Sequence, residues 1–330
     1  MVSMNLNGID RKLLNLLQTE FPLTREPYGD MGLQLGIEVD EVLHRIGQLK
    51  AKGIVRQISP VLDARSLGYQ TTLVAMRVAE SQLDRAERLI GEHSRVSHGY
   101  ERDHHFNLWF TLAIPHGVVM ESELERLTGP IGAEAVFALP AVKVFKIGAY
   151  FDMDGDGQTA SSTMAQPGKA LPQEARLSQT DRVVINELQQ DLPLIPRPFA
   201  AMSARLGMDV EDLLVQCQLL KQRGIIRRFG AAINHRQAGF EANAMTCWIV
   251  PPDVVDIAGQ KLASLREVSH CYERETNPLW RYNLYAMTHG HSREACQEIA
   301  DKVSRETGLM DYVLLFSTKE FKKTRVKYPV

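Results

Sequence analysis

"VSHGYER" at residues 96–102 returns as "VSHCYER" at 268–274, with a single substitution in seven positions. The match extends outward on both sides. "LKAKGIVRQISPVLDARSLGY" (49–69) lies over "LKQRGIIRRFGAAINHRQAGF" (220–240), and "IDRKLLNLLQTEFPLTREPY" (9–28) over "TDRVVINELQQDLPLIPRPF" (180–199). The offset is 171 residues in both, and 172 at the strand motif. The chain is therefore two copies of one unit, and a repeat of this length sets the architecture before any local reading. Between the copies, "DMDGDGQTASSTMAQPGKALPQEAR" (152–176) is rich in Gly, Ser, Ala and Pro, the composition of a linker. Its opening D-x-D-x-D-G imitates a calcium loop. The twelfth position is Thr163 rather than a bidentate Glu, so the stretch is read as an acidic tether.

Each copy has two parts. The first is helical in period: Leu13, Leu14, Leu16 and Leu17 precede a break at Pro22 and Pro27, and a second helix covers Met31 to Leu35. In a third helix Val42, Leu43, Ile46 and Leu49 share one face, and Gly53 closes it. Three short helices followed by "IVRQISPVLD" form a winged helix-turn-helix pattern. The second part reads strand, helix, hairpin, helix, strand, from "YQTTLVAMRVA" to "AVKVFKIGAYF" and again from "AMTCWIVPP" to "MDYVLLFSTKEF". That is the βαββαβ order of the ferredoxin-like unit. The fold class is α+β, a tandem repeat of winged helix-turn-helix plus ferredoxin-like βαββαβ domain. The expected boundaries are 1–60 and 61–151, the linker 152–176, then 177–231 and 232–330. A helix-turn-helix joined to such a unit resembles the Lrp/AsnC regulators, dimers whose sheets pack face to face and bind amino acids at the seam. The resemblance implies an intrachain pseudo-dimer.

Composition narrows the function. The chain has 330 residues, 44% of them hydrophobic, and a net charge of -2 from 38 basic and 40 acidic groups. It lacks the basic excess of a nucleic-acid binder. The third helices begin with Glu38, Asp40 and Glu41, and with Asp209, Glu211 and Asp212, where a DNA reader would present donors to bases and phosphates. Acids in a first turn also suit the helix dipole. Specific DNA binding is therefore not expected, and the module reads as scaffold. No apolar run is long enough for a membrane span and the start lacks a signal-peptide core. Cys217, Cys247, Cys271 and Cys296 show neither disulfide nor zinc spacing. A reduced, cytoplasmic protein with no membrane partner is the expectation.

The chemistry concentrates in "HGYERDHHFNLWF" (98–110). On a strand, alternate residues share a face. His98, Tyr100, Arg102 and His104 are thus expected to point one way, and Gly99, Glu101, Asp103 and His105 the other. In the second copy His270, Tyr272, Arg274 and Thr276 repeat the first set. An imidazole, a phenol and a guanidinium in a row suit a flat, anionic ligand larger than an amino acid. The plainer reading is satisfied strand polarity copied by duplication. Arg56, Arg227 and Arg228, in the wings, are candidate carboxylate clamps. Trp109 and Trp280 are assigned to the pocket wall, with plain core packing as the other reading, which also covers Tyr282. Glu101 and Glu273 are read as partners of neighbouring basic groups, and Arg65, His235 and Arg236 as surface residues.

"YERDHHFNLWF" and "YERETNPLWRYNLYAMTHG", the latter with "GIIRRFGAAINHRQAGF", resemble the motif segments of the two siroheme decarboxylase subunits. The resemblance spans nearly the whole chain apart from the linker, as though both subunits were fused. It implies removal of carbon dioxide from the C12 and C18 acetates of siroheme, giving 12,18-didecarboxysiroheme for haem d1 or an alternative haem route. No cofactor is implied, because the macrocycle is its own electron sink and brings its own iron. His98 and His104 would act as acid or axial iron contact, supported by Tyr100 and Arg102. His270, Tyr272, Arg274 and His289 would be the second-copy counterparts, with Thr276 in place of the second histidine. A regulator that binds DNA and a haem-responsive sensor remain the alternative readings, and further pairing of fused chains into a homodimer is left open.

Overall fold

The helical period of the first part is realised in α1 (Gly8–Thr19), α2 (Pro27–Leu35) and α3 (Val39–Ala51). In this computed structural model, residues 6–19, 21–148, 174–234, 242–290 and 292–330 are described. The calcium-loop imitation in the linker, His235 and Arg236 lie outside the described residues. Pro27 occupies the first turn of α2, where its missing N–H costs nothing. Gly36, at φ 69°, ends that helix. The third helix closes as expected: Gly53 N–H donates to the Lys50 carbonyl at 2.8 Å and Ile54 N–H to that of Leu49 at 2.9 Å. In the second copy α6 (Gln179–Leu188), α7 (Pro198–Leu206) and α8 (Val210–Gln222) repeat the device with Pro198 and Gly207.

The wing strands pair with each other across the copies. β1 (Val55–Leu62) runs antiparallel to β6 (Ile226–Ile233), giving a two-stranded sheet with one strand from each copy. Residues of both helical trios, such as Leu13, Tyr28 and Ile46 with Ile185, Phe199 and Leu220, share one buried cluster with these strands. Neither helix-turn-helix keeps a core of its own. Arg197 and Glu26 pair at 2.6 Å across the copies, and Arg25 pairs with Glu211 in the first turn of α8.

The first ferredoxin-like unit comprises β2 (Tyr69–Arg77), α4 (Leu83–Glu92), β3 (Val96–Arg102), β4 (Leu108–Pro115), α5 (Met120–Thr128) and β5 (Ala135–Ile147). The second comprises β7 (Ala242–Trp248), α9 (Val255–Ser264), β8 (Val268–Arg274), β9 (Leu284–Gly290), α10 (Arg293–Thr307) and β10 (Tyr312–Lys323). The two sheets pack on each other through one shared cluster, and they also share their edges. β5, 13 residues and roughly 43 Å long, pairs through residues 135–140 with β2 and then crosses to β8. β10 likewise leaves β7 for β3. Register shifts after Ala141 and after Ser317 accompany the two crossings. The result is a closed eight-stranded barrel in the order β10-β3-β4-β2-β5-β8-β9-β7. Closure leaves the barrel without an unpaired edge among the described residues.

Each crossing strand is seated by a phenylalanine pressed against a glycine. Phe321 packs on Gly99 of β3, and Phe145, 2% exposed, on Gly259 of α9. A Cβ at residue 259 would stand 2.5 Å from the Phe145 ring. Gly259→Ala is therefore expected to destabilise the fold by roughly 1–3 kcal/mol through overpacking, read as a lowered urea midpoint. An unchanged midpoint would show that Phe145 has room to turn aside.

Candidate functional site at the mouth of the barrel

Strand alternation turns His98, Tyr100 and Arg102 inward, while Gly99 faces the helix side and meets Phe321. The second copy does the same with His270, Tyr272 and Arg274, its Cys271 facing the Gly259 carbonyl of α9 at 3.7 Å. The pairs match in geometry. His98 and Tyr100 rings lie 6.5 Å apart and 24° from parallel, His270 and Tyr272 6.2 Å and 18°. Arg102 stands 5.3 Å over the Tyr100 ring and Arg274 4.7 Å over that of Tyr272. Each guanidinium donates to a crossing strand, Arg102 to the Leu315 carbonyl at 2.6 Å and Arg274 to that of Leu139 at 2.8 Å. Ser97 hydrogen-bonds with His98 Nδ1 at 2.8 Å. Ser269 bridges His270 Nδ1 at 2.9 Å and His289 Nε2 at 2.7 Å.

The outer ends of both rows meet at one mouth, beneath the wing sheet. Arg56 of β1 donates to Glu320 Oε1 at 2.6 Å and to the Lys323 carbonyl at 2.9 Å. Arg325 reaches the wing carbonyls of Pro60 at 3.0 Å and Gly230 at 3.1 Å. Burial pushes His98 down to about 4, helped by Lys323 and Arg56 and opposed by Glu320. It pushes His270 down to about 3, with His289, His98, Lys323 and Arg228 acting the same way. Arg325 falls to about 10 through burial and the neighbouring Arg228. Tyr100 and Tyr272 are raised, chiefly by burial. The imidazoles at the mouth are thus neutral at neutral pH, in a setting rich in fixed positive charge.

Several sequence expectations change place. β3 ends at Arg102, so His104 does not join the row. Asp103 turns the chain away by pairing with Arg293 at 2.8 Å and accepting the Phe316 amide at 2.9 Å. His104 instead meets the edge of Trp280 at 5.5 Å, and burial with His105 lowers it to about 4. Thr276 likewise lies past the end of β8. Trp109 and Trp280 are 1% and 3% exposed and pack edge to face at 5.1 Å within the barrel core. The three wing arginines already have protein acceptors: Glu320 for Arg56, Asp63 for Arg227 and the Gln18 carbonyl for Arg228. Arg65 donates to the Ala141 carbonyl at 3.1 Å and is not a free surface group.

Glu320, Lys323 and Arg325 had escaped the sequence reading. The signal was present in the copy alignment: "STKEFKK" (317–323) puts Glu320 and Lys323 where "AVKVFKI" (141–147) has Val144 and Ile147. A cavity of about 1110 Å³ lies elsewhere, between α5 and the outer face of β2 and β5. Its lining sets Glu121, Glu125, Glu174 and Glu275 against Arg65 and His116, a poor match for an anion. Charge therefore favours the mouth over this cavity as the candidate site. Among the described residues no cluster of His, Cys, Asp and Glu could hold a metal ion, and no helix is long and apolar enough to cross a membrane.

Two family models each match the chain twice. The AsnC-like ligand binding domain covers residues 66–146 and 237–322, and the siroheme decarboxylase NirDL-like HTH domain covers 10–56 and 181–227. Fold and site together define a tandem AsnC-like protein, with both halves of a ligand-binding pair in one chain. The chain is 39% identical to the siroheme decarboxylase of Hydrogenobacter thermophilus, over 96% of this chain and 94% of that one. It is also 39% identical to the siroheme decarboxylase beta subunit of Methanosarcina barkeri, over 46% of this chain and 99% of the subunit. The crystal structure of siroheme decarboxylase NirDL in co-complex with an iron-uroporphyrin III analogue matches with a TM-score of 0.71 and 35% identity, covering 98% of this chain and 95% of that one. The protein belongs to the siroheme decarboxylase family.

Burial of His98, His270 and His104 has a consequence for stability. Unfolded, these groups titrate near 6.5; folded, His98 and His104 sit at about 4 and His270 at about 3. As pH falls below about 6.5, the unfolded chain takes up protons that the folded chain refuses, so stability declines through that window. Urea midpoints are expected to drop between about pH 7 and pH 5, and to drop less in a His98→Gln/His270→Gln double variant. Equal declines in both proteins would show that these imidazoles are not held neutral.

Proposed function

We propose that the protein decarboxylates siroheme, removing carbon dioxide from the C12 and C18 acetates to give 12,18-didecarboxysiroheme on the haem d1 or an alternative haem route. The observation that carries this reading is the convergence of two His-Tyr-Arg rows on one mouth beside Arg56, Arg228, Lys323 and Arg325. Buried cations without matching acids are costly. Arg274, for example, is lowered by desolvation, and the groups that raise it are Tyr272, Tyr285 and Cys247 rather than a carboxylate. A macrocycle fringed with carboxylates supplies the missing counter-charge. The cationic side chains themselves occupy the mouth, so the substrate enters by taking over their hydrogen bonds.

The reaction breaks the bond between the acetate methylene and its carboxyl carbon. The electron pair stays on the methylene carbon, conjugated with the macrocycle, and one proton converts that carbon to a methyl group. No cofactor is called for, because the ring absorbs the charge and iron arrives with the substrate. Arg102 and Arg274 hold carboxylates, while the enclosed mouth strips water from the one that leaves. His98 serves the reacting end as proton donor or axial iron contact, with Tyr100 beside it; its neutral imidazole suits a metal contact. His270, Tyr272 and His289 face the substrate from the second copy. Trp109 and Trp280 back the site from the core, and His104, beyond the strand, is given no direct role. DNA is not assigned as a partner: α3 exposes Asp40, and in α8 Glu211 is paired with Arg25.

Anaerobic incubation with siroheme, with products resolved by mass, tests the proposal. Loss of two carbon dioxide units is expected, and His98→Ala should slow it by about 100-fold or more. A shifted Soret band with unchanged substrate mass would instead mark a sensor or carrier.

A further inference from the structure

The pseudo-symmetry of the chain supplies an internal control. The two rows repeat residue for residue, but the strands that cross onto them do not. β10 sets Glu320 opposite Tyr100 and Lys323 opposite His98. β5 sets Val144 opposite Tyr272 and Ile147 opposite His270. The barrel closes equally well in both places, so strand crossing does not require a carboxylate. A carboxylate that is mostly buried is unfavourable unless it is paired. Glu320 has 13% of its side chain exposed and is held by Arg56 at 2.6 Å, with Lys323 at 3.6 Å. It also hydrogen-bonds with the Tyr100 side chain. The pseudo-equivalent of Arg56, Arg227, turns to Asp63 instead.

Resting on the decarboxylase reading above, we infer that Glu320 rather than His98 delivers the proton, and that the first copy's row is the working half of the site. A substrate carboxylate entering the mouth takes over Arg56. Glu320 then faces like charge with its cation withdrawn, and it takes up a proton from solvent. When the carbon–carboxyl bond breaks, its electron pair remains on the methylene carbon. The Glu320 proton moves to that carbon, carbon dioxide leaves, and Glu320 is again a carboxylate ready to recapture Arg56. One proton is consumed for each carbon dioxide released, as the chemistry requires. Close to Glu320 stand Arg56 from β1, Lys323 from its own strand, and Tyr100 and His98 from β3. Val144 gives the second row no such donor.

The test compares full-length wild type with Glu320→Gln, Glu320→Asp and Glu320→Val, the last copying what the second half carries at residue 144. Single-turnover decarboxylation of siroheme should fall by about 100-fold in Glu320→Gln and Glu320→Val, and recover in part in Glu320→Asp. Siroheme affinity by Soret titration should hold or tighten, because a like charge has been removed. Binding of siroheme in weakly buffered solution should take up one proton more in wild type than in Glu320→Gln. Turnover within a few-fold of wild type, equal proton uptake, or weakened binding at an unchanged rate would each overturn the assignment of Glu320. Wild type that leaves the siroheme mass unchanged would instead overturn the decarboxylase reading itself.

Discussion

The barrel depends on backbone hydrogen bonds that two overlong strands make to the other copy. β5 and β10 each complete their own four-stranded sheet and then continue onto the partner sheet. A βαββαβ sheet standing alone would expose the edge of its second strand, a template for unwanted pairing. Here each exposed edge is taken by the other copy's last strand, and neither sheet is finished without the other. The copies are thus bound covalently by the linker and geometrically by exchange of strand ends.

Closure also decides what the interior can hold. The inward faces of eight strands are filled midway by Trp109, Trp280, Phe137 and Tyr285, which makes the barrel a packed core rather than a channel. The inward row then grades from this apolar plug, through Arg102 and Arg274, to His98 and His270 at the wing end. Positive charge collects there because crossing strand, wing and C-terminal tail all deliver basic residues to the same place: Lys323, Arg56, Arg228 and Arg325. The low-dielectric surroundings keep the imidazoles neutral and lower Arg228, Arg274 and Arg325, while Arg56 is paired with Glu320. Under the proposed function, the carboxylates of the ligand add counter-charge at this mouth.

The wing sheet shows how an old module is reused. A helix-turn-helix reads DNA by presenting its third helix on an independent body. In this chain the helical trios share one core, and their wings pair with each other over the barrel mouth. Its contributions to the site, Arg56 and Arg228, come from the wing strands rather than from the helices.

Duplication, the order of elements in each copy, the helix ends at Pro27 and Gly53, and the His-Tyr-Arg rows were all legible in the chain, because they are written in local periodicity and in residues next to one another in sequence. Strand alternation correctly turned His98, Tyr100 and Arg102 to one side. It failed at His104, because where β3 stops is set by Asp103 meeting Arg293, a residue 190 positions away. The copy alignment singles out Glu320 and Lys323, but the pairing of β5 with β8, the sharing of the wings and the place where the end of β10 and Arg325 arrive were decided by tertiary structure. They depend on which strand edges remain unpaired once each copy has folded. That is a property of the assembled sheets, which no local pattern encodes.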